Sequence, residues 1–171
     1  MSYKKNENVI LENAKVRYQT NFEGRQTDYN PQGRRVFNVE MPEDVALRLM
    51  DDGWNIKKYD NPAYDDDPVY YTELVVNYAG YKPPKIWRVT SKSQVLLDEN
   101  NVRLLDGDTI DYVDVVINPY HYPPSTTSPY KVKGYVVSMH VRIKDDPFME
   151  KYADIPERDS AEPRWFAEDE D

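Results

Sequence analysis

The sequence predicts a mainly β fold: a small five-stranded barrel with one helix between strands, long loops and a disordered acidic C-terminal tail. Three observations predict it. Segments of period-two alternation recur along the chain, as half-buried strands require. Tyrosine and proline are abundant, at 15 and 13 of 171 residues, and a tyrosine-rich, β-branched chain leans toward sheet. After Asp145 the alternation stops and acids take over.

The elements follow in order. Residues 10–18 (ILENAKVRY) alternate, with Ile10, Ala14, Val16 and Tyr18 on one face and Leu11, Lys15 and Arg17 on the other. The Gly-, Asn- and Pro-rich stretch QTNFEGRQTDYNPQGRR reads as a long hairpin loop. In residues 34–41 (RRVFNVEM), Phe37, Val39 and Met41 share a face. Residues 42–52 (PEDVALRLMDD) are the helix. Pro42 opens it, Glu43 and Asp44 suit the N-terminal dipole, and Gly53 ends it. WNIKKY (54–59) predicts a short returning strand, and DNPAYDDDP a loop.

VYYTELVVNYA (69–79) predicts a strand with Tyr70, Leu74, Val76 and Tyr78 on one face. KIWRV (85–89) is a short extended piece, and residues 93–108 combine a strand, a turn and a helical turn. In residues 109–122, Val113, Val115 and Ile117 face one way and Tyr112, Tyr120 and Tyr122 the other. In residues 130–144, Tyr135, Val137, Met139, Val141 and Ile143 form the apolar row. Phe37 and Tyr135 are therefore assigned to the core. The five-stranded OB-fold-like barrel leads a β-sandwich as the architecture. The expected organisation is an arm (1–8), a barrel domain (9–148) and a tail (149–171).

Composition narrows the function. There is no cysteine and there are only two histidines, which removes thiol nucleophiles and histidine-rich metal sites. No P-loop, G-x-G-x-x-G or G-x-S-x-G motif is present. The expectation is no catalysis, no metal and no cofactor. The N-terminus lacks a signal-type apolar stretch, and no apolar run reaches membrane-span length. A cytoplasmic protein without membrane association is expected. The net charge is −9, yet residues 145–171 carry 11 acids against three bases, leaving the body near −1. A basic face on that body stays open.

Nucleic-acid binding is the chemistry that the residues favour. Single strands are held by cations that meet phosphates and by rings that stack on bases. Lys15, Arg17 and Tyr18 run toward Phe22 and Arg25. Arg34 and Arg35 precede Phe37, Lys57 and Lys58 precede Tyr59, and Trp87 sits beside Arg88. Tyr112, Tyr120 and Tyr122 share the less aliphatic face of their strand, and Lys131 and Lys133 alternate in theirs.

The chain resembles the phage-encoded single-stranded DNA-binding proteins built on an OB-fold with an acidic tail. The resemblance lies in AKVRYQTNFEGRQTDYNPQGRRVFNVEM, in LMDDGWNIK after the helix, in VDVVINPYHY with VKGYVVSMHVRIKDDPFMEKYAD, and in the acidic C-terminus. It implies a protein of the infected host's cytoplasm that coats single strands during replication or recombination. It also implies phosphate contacts at Lys15, Arg17, Arg25, Arg34, Lys131, Lys133 and Arg142, and base stacking by Phe22, Trp87, Tyr112, Tyr120 and Tyr122. The tail residues Trp165, Phe166, Glu168, Asp169, Glu170 and Asp171 would serve contacts with replication or recombination proteins. Two other classes fit less well: a phage structural protein, and a DNA-mimicking inhibitor of a host nuclease, which needs its acids on a folded surface.

Overall fold

The computed structural model describes residues 7–60, 67–146, 148 and 151. Its strands are β1 (Val9–Ala14), β2 (Val16–Asn21), β3 (Arg35–Met41), β4 (Lys57–Tyr59), β5 (Val69–Val76), β6 (Lys85–Val89), β7 (Gln94–Leu97), β8 (Ile110–Tyr122) and β9 (Lys131–Ile143). Helix α1 spans Glu43–Asp51, and a 3₁₀ helix spans Val102–Gly107. Nine strands among the described residues exceed the five expected, because the short pieces β4, β6 and β7 pair into the sheet and the first strand is broken in two.

The main path runs β1-β8-β9-β5-β3-β2. Its two end strands, β1 and β2, are consecutive in the chain and separated by Lys15 alone. Counting β1 and β2 as one bent strand makes the path begin and end on the same stretch of chain. All main pairings are antiparallel except β5 with β9. Strand β6 adds a second parallel neighbour to β9, and β7 hangs on β6.

Two residues bend the first strand. Asn13 and Tyr18 both take positive φ, 51° and 62°, and the ladders lose register between Leu11 and Ala14 and between Arg17 and Asn21. Each irregularity moves the following side chains to the other face. The continuous alternation expected over residues 10–18 is thereby corrected. Val9, Leu11 and Ala14 are buried, whereas Ile10 and Tyr18 are exposed.

Strand β9 is corrected in the same way. Val116 pairs with Ser138 and Ile117 with Val136, so Val137 is an extra residue without a partner on β8. Val132, Gly134 and Val136 point inward before it; Met139, Val141 and Ile143 point inward after it. Val137 is 42% exposed, and Tyr135 faces outward rather than joining the core. Strands β3, β5 and β8 keep their expected faces, with Phe37, Val39, Leu74, Val76, Val113, Val115 and Ile117 all buried.

Helix α1 begins after Pro42 and presents Glu43 and Asp44 to its N-terminal end. It buries Ala46 and Leu49. It closes with paired bonds from Gly53 N–H to Met50 O (3.0 Å) and from Trp54 N–H to Leu49 O (3.0 Å), with Gly53 at φ 100°, the geometry that glycine accepts at a helix end. This exit delivers Trp54 beneath β9, where it bridges Val132. Gly134 leaves the room: a Cβ there would lie 2.7 Å from both Trp54 and Ile117 and 2.8 Å from Leu74.

Asp106 of the 3₁₀ helix pins the start of the long loop. Its carboxylate accepts from the Thr20 hydroxyl (2.6 Å) and from Phe22 N–H (2.8 Å) and Glu23 N–H (2.9 Å).

Gly134→Ala is expected to destabilise the protein by about 1–3 kcal/mol, the range for overpacking a filled core. Urea denaturation checks it, as a lower midpoint at unchanged slope.

Candidate nucleic-acid interface

The outward residues of five strands line up in one row. Arg17 on β2 pairs with Asn38 on β3, and Asn38 with Glu73 on β5. Leu74 and Val75 pair with Gly134 and Tyr135, which puts Glu73 level with Lys133 on β9. Lys133 pairs with Tyr120 on β8. The row thus carries a cation at each flank, Arg17 and Lys133, and ends on an aromatic ring.

At the β8–β9 end three tyrosines share one cluster. Tyr120 meets Tyr122 edge-on with centroids 4.7 Å apart, and Tyr135 at 6.0 Å. The Tyr122 and Tyr135 hydroxyls are 2.6 Å apart. Burial, then the hydrogen bond with Tyr122, pushes the Tyr135 phenol up to about 12, so that phenol stays neutral and can donate. The ammonium groups of Lys131 and Lys133 lie 5.4 and 6.0 Å from the Tyr122 centroid, within cation–π range. Beside the cluster is a cleft of about 560 Å³, lined by Tyr120, Tyr122 and Tyr135 together with Tyr81 and Lys82.

At the β2 end, the Arg17 guanidinium lies among three rings, 5.1 Å from the centroids of Tyr18 and Tyr59 and 5.5 Å from Tyr71. Tyr18 and Tyr71 pack edge-on at 5.4 Å. Glu40 accepts from Arg17 Nη1 at 3.3 Å. Between the two ends, Arg34, Lys57, Glu73 and Lys133 line a small cavity of about 100 Å³. Arg34 Nη2 donates to Glu73 at 2.7 Å and its Nη1 to Asn30 at 3.1 Å.

Asn30 is also why the preceding loop holds its shape. Buried to 8% exposure, it donates to the carbonyls of Arg25, Pro31 and Arg34. Asn21, also buried, accepts from the N–H groups of Gly24 and Arg25. Two asparagines replace the ladder bonds that the loop lacks.

Of the residues expected from sequence, Arg17, Arg34, Tyr120, Tyr122, Lys131 and Lys133 stand in this band. Trp87, Tyr112 and Arg142 stand elsewhere, on the half of the β6–β9–β8 surface beyond Val137. There the Trp87 ring lies parallel to His140 at 6.0 Å, Tyr112 pairs with Arg142, and Arg142 reaches Asp145 at 3.3 Å. Lys15 turns to Asp111 (3.7 Å), and Arg25 to Glu23 (3.5 Å). Phe22 is a correction. Its ring is fully buried and stacked on Phe37 at 5.1 Å, because the break at Tyr18 turns the strand's end inward, so it offers no face to a base. The tail residues Trp165, Phe166, Glu168, Asp169, Glu170 and Asp171 lie outside the described residues.

The band also holds residues to which the resemblance gave no role: Tyr18, Lys57 and Tyr59, which the sequence places among its interleaved cations and rings, and Tyr71 and Tyr135. The run KKY (57–59) carried part of that signal. Tyr71 and Tyr135 carried none, since each sits in an apolar strand and only register reveals its side.

Residues 1–168 match the model of a family described as "Putative phage ssDNA-binding domain". Among solved structures, the single-stranded DNA-binding protein of bacteriophage Enc34, as a C-terminal truncation, is similar with a TM-score of 0.53 at 13% identity, covering 86% of this chain and 95% of that one. The same phage protein in complex with ssDNA gives a TM-score of 0.51 at 13% identity, covering 86% and 96%. No curated protein matches the chain.

Phe22→Ala is expected to cost about 3–5 kcal/mol of stability, as for other buried phenylalanines. Tyr120→Ala, on an exposed ring, is expected to stay within about 0.5 kcal/mol of the parent. Thermal melts of the two variants side by side check the contrast.

Proposed function

Because the chain belongs to the phage ssDNA-binding domain family, we propose that it coats single-stranded DNA along the β8–β9–β5–β3–β2 band, without catalysis and with little regard to sequence. The observation that carries the assignment of the band is the cross-strand row from Arg17 to Tyr120, flanked at each end by a cluster of tyrosines around cations. Phosphates meet Arg17, Arg34, Lys57, Lys131 and Lys133, while bases stack on Tyr18, Tyr120, Tyr122 and the wall of the cleft. Each such stack is worth about 1–3 kcal/mol and accepts any base, because every base has a π-face. Paired bases hide those faces, so single strands are favoured over duplex. Trp87, Tyr112 and Arg142 extend the path along β9 for longer strands.

The biological role in this reading is protection and organisation of single strands during replication or recombination in the host cytoplasm. The tail adds a second layer. Its four terminal carboxylates compete with phosphates for the band, and Trp165 and Phe166 supply rings for a replication or recombination partner.

Fluorescence anisotropy with labelled oligo-dT checks the reading. Binding at micromolar protein is expected at low salt and is expected to weaken as salt rises. Lys133→Ala should reduce the logarithmic salt slope by about 0.7, the value for one single-strand phosphate contact. Tyr122→Ala should cost about 1–3 kcal/mol of binding. Wild-type protein that leaves oligo-dT free at low salt would overturn the proposal. Deleting residues 162–171 is expected to leave the melting temperature unchanged and to raise oligo-dT affinity.

A further inference from the structure

The two arginines of the band are already occupied. Arg17 is bonded to Glu40 at 3.3 Å, and Arg34 to Glu73 at 2.7 Å. Neither carboxylate belongs to the core. Glu40 and Glu73 sit on the outward faces of the adjacent strands β3 and β5, where Glu40 pairs with Tyr71 and Glu73 with Asn38. Glu73 also shares its small cavity with Lys57 and Lys133. A carboxylate there is in the position a phosphate must take, and carboxylate and phosphate use the same guanidinium donors.

We propose that Glu40 and Glu73 are internal competitors for the phosphate sites, which keep the band's cations ordered in the free protein and lower its affinity for single strands. The inference rests on the band being the DNA site. Binding exchanges an arginine–carboxylate pair for an arginine–phosphate pair. The strand releases a counterion as each phosphate is neutralised, but the freed carboxylate gathers one. Net ion release per contact therefore falls, and the salt slope of the parent protein is shallower than its number of phosphate contacts. The two glutamates set how readily the protein lets go of a strand, which matters for a coat that must be removed.

The test is a salt titration of oligo-dT binding for the full chain and for Glu40→Gln and Glu73→Gln. Glutamine keeps the side-chain length and removes the charge. Each variant is expected to bind about two- to fivefold more tightly at moderate salt, the range of an exposed ion pair, and to steepen the logarithmic slope by up to about 0.7. Glu12→Gln, exposed on β1 outside the band, makes the same change in net charge. It controls for long-range repulsion and is expected to change the slope little. Weaker binding in the two band variants, or a slope unchanged from the parent, would overturn the inference and make the carboxylates positioning groups for the arginines. An equal slope change in Glu12→Gln would overturn it as well. A parent protein that does not bind oligo-dT refutes the assignment of the band instead. Thermal melts of all three variants separate binding effects from loss of fold.

Discussion

At Gly134 the backbone of β9 lies against Trp54, Ile117 and Leu74, side chains from three different parts of the chain, with no space for one further carbon. That contact sets the depth and rotation of β9 over the core. The neighbours on either side, Lys133 and Tyr135, are then forced outward by the pleat, one beside Tyr120 and the other beside Tyr122. The helix takes part through its last turn, because the bonds that close α1 at Gly53 aim Trp54 into this gap. A packing constraint in the interior thus decides which residues the surface offers.

The same strand serves two surfaces because of one extra residue. Before Val137 the outward side carries Lys131, Lys133 and Tyr135; after it, Ser138, His140 and Arg142. Without the bulge, Met139 and Val141 would face water whenever Lys133 faced water. The bulge lets β9 keep an apolar inner row along its full length while pairing with β8, β5 and β6. Bulges recur where a sheet must re-aim side chains next to a site. Here the re-aimed side chains are those of the band.

Much of this was legible from sequence, and the parts that were not share one cause. The alternation in β3, β5 and β8 reads true because those strands keep one phase over their buried length. It misleads at β1, β2 and β9, where Asn13, Tyr18 and Val137 each shift the phase by a local change that a period-two rule cannot register. An asparagine at positive φ is common enough to raise suspicion. A tyrosine or an unmatched valine is not. The period-two rule therefore assigns Tyr135 to the core, and the resemblance assigns Phe22 to base stacking, whereas Tyr135 faces outward and Phe22 is buried. Turn residues did better, since Pro42 and Gly53 bracket α1 for steric reasons that act locally. Whether an arginine has an acidic partner depends on strands far apart in the chain, as with Arg34 and Glu73, and no local pattern encodes it.

Net charge is a poor guide to this surface for a related reason. A body near −1 could be electrostatically bland, yet cations and acids here alternate over a few ångströms along the row. Four interstrand steps of ~4.8 Å span ~19 Å from Arg17 to Tyr120, about two Debye lengths at moderate salt. An approaching strand therefore senses the individual pairs at close range and hardly senses the distant acids of the chain. Rings remove water beside each cation, at Arg17 with three tyrosines and at Lys131 and Lys133 with Tyr122, and a less hydrated charge interacts more strongly. Attraction is thereby concentrated where a base can stack and a phosphate can pair together. In the proposed mode of binding, selectivity for an unpaired strand comes from this geometry, with no need for a strongly basic protein.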